Sequence, residues 1–306
     1  VLHRFIERKD VCSMKRRRSA QKRRTRRRWL IFLLILLALL LFWPRRVSLE
    51  GLISPEAVLM DADSGEVLAA KKADASIYPA SMTKVMTALL VLEATPDLDT
   101  PVTLPGEIFP ALQTEKASMA GFLPGETATV RDLLYGALLP SGAECCETLA
   151  QEVSGSEEAF VASMNRKAAA LGMASTHFCN PTGLHDPEHV STARDMAVLL
   201  RAAMQNEMFR TIFATARYTV PPTNLHPDGF TMESTFWSEL DGTELRRGKF
   251  LGGKTGYTSA AGLCLASAAE VKGKTYLMVT AGAQGNHNTE PYHVDDAVNV
   301  CRQLAR

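Results

Sequence analysis

The sequence lacks the cysteine spacings that mark small metal or redox sites. None of its six cysteines forms a C-x-x-C pair, so the usual support for a zinc or a thiol–disulfide motif is missing. Five cysteines follow the first 46 residues, an odd number with two adjacent members: Cys145, Cys146, Cys179, Cys264 and Cys301. This pattern does not resemble a disulfide framework, and we interpret these residues as small buried hydrophobic side chains.

A histidine pattern for metal binding is also missing. His177, His185 and His189 lie in a loop-like stretch, without an H-E-x-x-H sequence or an accompanying pattern of carboxylates. We therefore expect no metal and no other cofactor. Glycine and proline, at 20 and 15 residues, are near ordinary usage, and apolar residues make up 46% of the chain, which favours a folded protein with a sizeable core.

Acidic residues are scarce at the start of the chain. Residues 1–46 hold 15 Lys and Arg against 2 Asp and Glu, a net charge of +13, whereas the rest holds 19 against 31, a net charge of −12. The basic run 15–28 alone is compatible with nucleic-acid binding. The next 15 residues, 29–43, are all apolar, and a basic flank before an apolar run is typical of a segment that enters a membrane from the cytoplasm. With an acidic body behind it, the chain is not expected to bind nucleic acid.

These patterns predict four segments: a basic cytoplasmic N-terminus at 1–28, a transmembrane signal-anchor at 29–43, a linker at 44–55 and one domain at 56–306. The apolar run would rise about 22 Å as a helix, shorter than the roughly 30 Å hydrocarbon core. Because Pro44 and Arg45 follow it instead of a small-x-small cleavage site, we expect an uncleaved anchor rather than a cleaved signal peptide. The domain would then lie outside the cytoplasm, tied to the cell membrane. Met14 is an alternative first residue.

Within the domain, strands are predicted at both ends and helices between them. A hairpin is predicted over 57–70, with Asp, Ser and Gly at its turn. Helical periodicity covers 81–93, 130–139, 143–153, 157–171, 192–205 and 291–304, and strand patterns cover 218–220, 250–257, 263–269 and 275–281. This order predicts an α+β fold whose sheet is closed by pairing the N-terminal hairpin with the C-terminal strands.

The first candidate for chemistry is the sequence Ser81-Met82-Thr83-Lys84. Residues three apart share a helix face, so the Lys84 amine is expected beside the Ser81 hydroxyl. Serine needs a base to remove its proton before it becomes a good nucleophile, and a lysine whose pKa is lowered by burial is such a base. A helix start with a solvated lysine is the plain alternative for this motif.

Two further motifs carry hydroxyl and ammonium groups. Lys254-Thr255-Gly256 lies on a predicted strand, where a cation beside a hydroxyl suits a carboxylate ligand, although a glycine-rich turn is the simpler interpretation. Ser141-Gly142-Ala143 precedes a predicted helix, for which Ser141 is equally a plausible cap.

Together the three motifs resemble the Ser-x-x-Lys, Ser-x-Asn and Lys-Thr-Gly set of penicillin-binding proteins and serine β-lactamases. Ser81 and Ser141 are 60 residues apart, and Ser141 and Lys254 are 113 apart, as in that set. The segments AVLMDADSGEVLAAKKADASIYPASMTKVMTALLVLE, THFCNPTGLHDPEHVSTARDMAVL and GGKTGYTSAAGLCLASA are similar to the serine D-alanyl-D-alanine carboxypeptidase family, a resemblance that covers 53–304. It implies a five-stranded antiparallel sheet flanked by helices, with a mainly helical subdomain.

The resemblance implies a role for each matching residue. Ser81 would attack the carbonyl of the penultimate D-alanine, Lys84 would take its proton, and Ser141 would relay a proton to the departing D-alanine. Lys254 and Thr255 of the Lys254-Thr255-Gly256 motif would hold the substrate carboxylate, and the backbone N–H groups of Ser81 and Tyr257 would form the oxyanion hole. The implied partners are peptidoglycan peptides ending in D-Ala-D-Ala and β-lactam antibiotics.

The sequence departs from the family pattern at Ala143, where the family has asparagine. Alanine offers neither donor nor acceptor, so we expect a slower reaction, unless Glu144 or a water molecule substitutes for the amide. Two alternatives to the carboxypeptidase remain: a β-lactamase, disfavoured because the E-x-x-L-N motif is missing between Ser141 and Lys254, and a weakly catalytic module that binds penicillin or wall peptides. About 50 residues follow Gly256, so the additional C-terminal β-domain of many family members is not expected.

Overall fold

The computed structural model describes residues 47–306 except residue 287, together with residues 29 and 32. The predicted cytoplasmic segment 1–28 and nearly all of the predicted anchor 29–43 lie outside the described residues, so both remain predictions. Among the residues that are described, no helix is both long and apolar enough to cross a bilayer. The description below concerns the unit Val47–Arg306.

The strands lie mainly at the two ends of this unit. They are β1 Glu56–Asp61, β2 Val67–Lys71, β3 Ser76–Ile77, β4 Pro101–Thr103, β5 Thr127–Thr129, β6 Ser191–Thr192, β7 Arg217–Val220, β8 Phe230–Glu233, β9 Gly248–Thr258, β10 Gly262–Val271 and β11 Lys274–Ala283. Five of them form an antiparallel sheet in the order β2-β1-β11-β10-β9, and the shorter strands pair as β3–β6, β4–β5 and β7–β8. The predicted closure of the sheet by the N-terminal hairpin and the C-terminal strands is confirmed.

The helices occupy the middle of the chain and its end. They are α1 Lys84–Ala94, α2 Phe109–Thr114, α3 Val130–Leu138, α4 Ala143–Ser154, α5 Glu157–Leu171, α6 Ala193–Ala203, α7 Glu207–Phe213, α8 Thr235–Leu240 and α9 Tyr292–Leu304. Short 3₁₀ turns at Ala80–Thr83 and Gly106–Ile108 precede α1 and α2. Local periodicity located the longer helices, whereas α2, α7 and α8 have too few turns to show it.

The central sheet is buried on both faces, and its side chains alternate between two cores. Along β1, Val58 and Met60 contribute to the larger core, and Ala57 and Leu59 contribute to the smaller one. This alternation follows from the two-residue repeat of a strand. The larger core also contains apolar side chains of α1 and α3 to α7, and the smaller one contains those of α8 and α9.

The edge strand β9 positions the candidate site. The 3₁₀ turn Ala80–Thr83 packs against β9 and β10, while α4 begins with Ala143 after the loop residues Ser141 and Gly142. The three motifs, which are separated by 60 and 113 residues in the chain, are brought to one edge of the sheet by this arrangement.

Candidate active site

Ser81 and Lys84 are joined by a hydrogen bond at the start of the helical region. Lys84 Nζ lies 3.0 Å from Ser81 Oγ and donates a second hydrogen bond of 2.6 Å to the carbonyl oxygen of Thr182. Ser81 lies in the 3₁₀ turn, and the α-helix begins only at Lys84, yet the three-residue spacing still places both side chains on one face. The predicted proximity of hydroxyl and amine is therefore present.

The Lys84 ammonium is removed from water. The residue is 2% exposed, and burial lowers its pKa from the ordinary value, although Cys146 and Glu144 act in the opposite direction. Desolvation disfavours the charged form of an amine. The amine lies 3.0 Å from Ser81 Oγ, so in its neutral form it is placed to accept the hydroxyl proton.

Two glycines permit the close packing around the nucleophile. A Cβ at Gly183 would lie 1.9 Å from the carbonyl oxygen of Ala80, and a Cβ at Gly256 would lie 3.0 Å from the backbone nitrogen of Ser81. Ala80 itself has a φ of 47°, a conformation that is costly for a residue with a side chain. The backbone before Ser81 is thus held in a strained form between the Gly183 loop and β9.

Side-chain hydrogen bonds hold the loop that carries the Thr182 carbonyl. Asn180 Oδ1 accepts hydrogen bonds from the backbone N–H groups of Thr182 and Gly183, at 3.2 and 2.7 Å. His189 Nδ1 accepts from the N–H of Cys179 at 3.1 Å, and His189 Nε2 lies 2.8 Å from Thr83 Oγ1. Burial lowers the pKa of His189 to about 4, so the ring is neutral and holds the loop against the nucleophile turn.

Ser141 faces the nucleophile from the other side. It is 5% exposed, and its Oγ is buried without a hydrogen-bond partner. Its φ is 72°, which is strained for a serine. Ser141, Ser81 and Thr255 line the same small recess. The hydroxyl is therefore not used as a helix cap, and α4 has no side-chain cap.

Ala143 lines the cleft beside Ser81 and Lys84, where the family pattern has an amide. Glu144 does not replace that amide, because its Oε1 accepts from the backbone N–H groups of Ala120 and Gly121 at 2.6 and 3.1 Å. Its Oε2 is buried without a partner. The cleft wall at this position is therefore apolar.

Lys254 lies behind the cleft rather than on its surface. It is fully buried, and its ammonium donates a hydrogen bond of 2.8 Å to the carbonyl oxygen of Thr255. Burial, and then the neighbouring Lys84, lower the pKa of Lys254 to about 7. Thr255 does reach the recess, and its Oγ1 lies 2.6 Å from Thr235 Oγ1.

The recess that adjoins the cleft contains three side chains that no local sequence motif indicated, in addition to the motif residues. The cleft is about 720 Å³ and is lined by Ser81, Lys84, Ala143 and Tyr257. The adjoining recess also holds Thr235, Glu239 and His293. His293 is 1% exposed, with Nε2 3.0 Å from Glu239 Oε2 and Nδ1 buried without a partner. Only the folded chain brings α8 and the start of α9 to Thr255, so sequence reasoning missed these side chains.

The predicted site residues thus meet at one place. Ser81, Lys84, Tyr257 and the motif glycine Gly256 surround the cleft and its recess together with Ser141 and Thr255, while Lys254 lies beneath them.

Comparison with known proteins gives one consistent result. The family model described as D-alanyl-D-alanine carboxypeptidase matches residues 46–285. The D-alanyl-D-alanine carboxypeptidase DacF of Bacillus subtilis (strain 168) is 37% identical over 239 residues, which cover 74% of this chain and 57% of that protein. The chain therefore spans less than two thirds of the length of that relative.

A Streptomyces protein is similar in both sequence and structure. The D-alanyl-D-alanine carboxypeptidase of Streptomyces sp. (strain K15) is 34% identical over 225 residues, which cover 71% of this chain and 77% of that protein. The structure of the S216A mutant of the Streptomyces K15 DD-transpeptidase superimposes with a TM-score of 0.75 at 29% identity, covering 83% of this chain and 98% of that chain.

Proposed function

The chain belongs to the D-alanyl-D-alanine carboxypeptidase family, and from that membership we propose that it removes the terminal D-alanine from peptidoglycan stem peptides through an acyl-enzyme on Ser81. The observation that carries the proposal is the 3.0 Å contact between Ser81 Oγ and the buried amine of Lys84. It supplies the nucleophile and the base in one hydrogen bond.

The acylation step follows from this pair. Ser81 Oγ forms a bond to the carbonyl carbon of the penultimate D-alanine while its proton passes to Lys84 Nζ. The C–N bond to the terminal D-alanine then breaks, and the departing nitrogen takes a proton through the unpaired hydroxyl of Ser141. Water next attacks the ester carbon and restores Ser81. Backbone N–H groups of Ser81 and Tyr257 would stabilise the oxyanion in both steps.

The terminal carboxylate of the peptide would lie in the recess beside Thr255. The Thr255 hydroxyl donates one hydrogen bond there, and Lys254 acts through its charge, because its ammonium is buried behind the strand. The same recess and nucleophile would accept a β-lactam, whose ring carbonyl replaces the D-Ala-D-Ala amide. Penicillin would then inhibit the protein by leaving a stable acyl group on Ser81.

We also propose that the domain acts outside the cytoplasm, tied to the cell membrane by residues 29–43. The support is the basic flank and the apolar run of the sequence. Replacing the apolar run with polar residues would release the protein from the membrane fraction, and retention of the variant there would refute the anchor.

One observation favours a second candidate, a wall-peptide or penicillin binding module with weak catalysis. Ala143 leaves the cleft without the amide of the family motif, and Glu144 is committed to backbone N–H groups elsewhere. A missing hydrogen bond of this kind reduces the rate of a reaction but does not abolish it. We therefore retain the carboxypeptidase as the leading function.

The test uses fluorescent penicillin and a peptide ending in D-Ala-D-Ala. We expect stable labelling and D-alanine release, both reduced at least about a thousandfold by Ser81→Ala, because no other nucleophile replaces the hydroxyl. Ser118→Ala removes a hydroxyl that lines the same cleft and should keep the label. Labelling without peptide cleavage would support the binding module, and rapid turnover of penicillin would indicate a β-lactamase.

A further inference from the structure

The recess that adjoins the catalytic cleft contains three buried polar atoms without a hydrogen-bond partner among the described residues. They are Ser141 Oγ, Glu239 Oε2 and His293 Nδ1. Ser81 lines the same recess, so the three atoms lie close to the nucleophile. A buried polar atom without a partner is costly, and three of them around one small space point to a polar ligand. The reaction proposed above uses Ser141 but neither His293 nor Glu239.

His293 and Glu239 form a pair that joins two helices. His293 is the second residue of α9, and Glu239 is the last but one residue of α8. His293 Nε2 lies 3.0 Å from Glu239 Oε2. The partner of one ring nitrogen determines which nitrogen remains for another contact. Because Nε2 is turned to the carboxylate, Nδ1 is the nitrogen that remains for a ligand in the recess.

The size and the chemistry of the recess favour a carboxylate as that ligand. The recess is about 40 Å³, room for about three water-sized groups, which admits the two oxygens of a carboxylate. Thr255 contributes one hydroxyl, and Lys254 behind it donates its hydrogen bond to the carbonyl oxygen of Thr255. A carboxylate accepts up to about four hydrogen bonds, so one hydroxyl leaves most of its acceptor capacity unused. An N–H group at His293 Nδ1 would supply a second donor.

His293 can serve as that donor only when its ring is protonated. The neutral ring carries a single N–H. With that N–H turned to Glu239, Nδ1 presents a lone pair, which repels a carboxylate. The imidazolium has an N–H at both nitrogens, so it donates to Glu239 and to the ligand at the same time. Imidazole is also the side chain that ordinarily changes its charge between about pH 5 and 8.

We propose that His293, oriented by Glu239, donates a hydrogen bond from Nδ1 to the terminal carboxylate of the peptide, so that recognition of this carboxylate weakens as the imidazole loses its proton. The inference rests on the proposed function, since it needs the carboxylate in the recess beside Thr255. Binding of the peptide would take up a proton wherever the free imidazole is mostly neutral. The protein would therefore bind its substrate most tightly in mildly acidic surroundings.

One neighbouring group titrates in the same pH range as a histidine. Besides Glu239 on α8, titratable side chains lie around His293 on its own helix, on β9 and on β11: Asp295, Asp296, Lys254, Tyr257 and Tyr276. From β10 the recess is lined by Leu263, which carries no charge. Burial, and then Lys84, lower the pKa of Lys254 to about 7. The experiment must therefore separate the titration of Lys254 from that of His293.

The experiment measures peptide binding as a function of pH. The probes are Nα,Nε-diacetyl-L-lysyl-D-alanyl-D-alanine and the same peptide with a C-terminal amide. Dissociation constants are measured between about pH 5 and 8 with Ser81→Ala, which does not cleave either peptide, and with the same protein carrying His293→Gln or Glu239→Gln as well. The matched control is His226→Gln. His226 is also paired with a glutamate, Glu126, at 2.8 Å, but it is not among the described residues that line the cleft or the recess.

We expect the carboxylate form to bind about tenfold or more tightly at the acidic end of this range than at the alkaline end, as for a hydrogen bond between two charged groups. The amide form should change little. His293→Gln should weaken binding of the carboxylate form about tenfold at acidic pH and remove most of the pH dependence, whereas His226→Gln should keep both. Glu239→Gln removes a negative charge that favours the imidazolium, so the midpoint of the pH dependence should move to lower pH.

Three results would overturn the inference. The first is the same pH dependence for the carboxylate and amide peptides. The second is a pH dependence that folded His293→Gln leaves unchanged, which would assign the titration to Lys254. The third is an unmoved midpoint in Glu239→Gln; the Glu239 side chain is 31% exposed, so this variant keeps the test available if His293→Gln does not fold. Because binding is read without cleavage, a failure of the proposed function is seen separately, as absent D-alanine release by the protein with Ser81 intact.

Discussion

Restoring the amide at position 143 should accelerate acylation. Ala143 is 1% exposed and lines the cleft beside Ser81 and Lys84, and the nearby Glu144 carboxylate is held by the N–H groups of Ala120 and Gly121. Ala143→Asn therefore adds a donor and an acceptor to the cleft wall at position 143. One hydrogen bond formed in the transition state is worth about 1–3 kcal/mol, a factor of about 5 to 150 in rate.

The assay is the second-order rate of labelling by fluorescent penicillin, followed by the rate of D-alanine release from a D-Ala-D-Ala peptide. The control is Ala143→Leu, which has a similar size without hydrogen-bonding groups and should be slower than the parent protein. Thermal unfolding confirms that both variants are folded. If folded Ala143→Asn labels no faster than the parent protein, the cleft is adapted to alanine and the reasoning fails.

Two other substitutions separate stability from activity. Lys254→Met should lower D-alanine release but stabilise the fold at neutral pH. The buried amine has a pKa of about 7, against about 10.4 in the unfolded chain, so the unfolded chain binds more protons between these two pH values. The free energy of unfolding of the parent protein should therefore rise with pH across that window, by up to about 1.4 kcal/mol per pH unit. Urea unfolding at several pH values should show this rise in the parent protein and a shallower one in Lys254→Met; identical slopes would contradict the assignment. Ser141→Gly should relieve the φ of 72° and so increase the free energy of unfolding by roughly 1 kcal/mol. The melting temperature should therefore rise, while D-alanine release should slow. Ser141→Ala keeps the strain and should lose activity without that gain, so an equal melting temperature for both variants would refute the strain.

The sequence contained enough to place the catalytic pair, because three-residue spacing brings Ser81 and Lys84 together in a 3₁₀ turn as well as in an α-helix. It predicted the hairpin for a similar local reason, because two apolar runs flank the turn residues 61–65. Strain was not predictable, since nothing in the local sequence requires a positive φ at Ser141. The positions of His293 and Glu239 in the recess depend on contacts between distant elements, which the periodicity of the sequence does not reveal.

The placement of the acids around Lys84 explains how one site holds buried amines and buried carboxylates together. A carboxylate in contact with Lys84 would stabilise the ammonium form and remove the base. In the described residues no acid forms an ion pair with Lys84, whose two hydrogen bonds go to Ser81 Oγ and the Thr182 carbonyl. Glu144 is held by backbone N–H groups, and Glu147 lines a separate cavity of about 350 Å³. Their charges therefore act on Lys84 only from a distance, where burial still dominates its pKa.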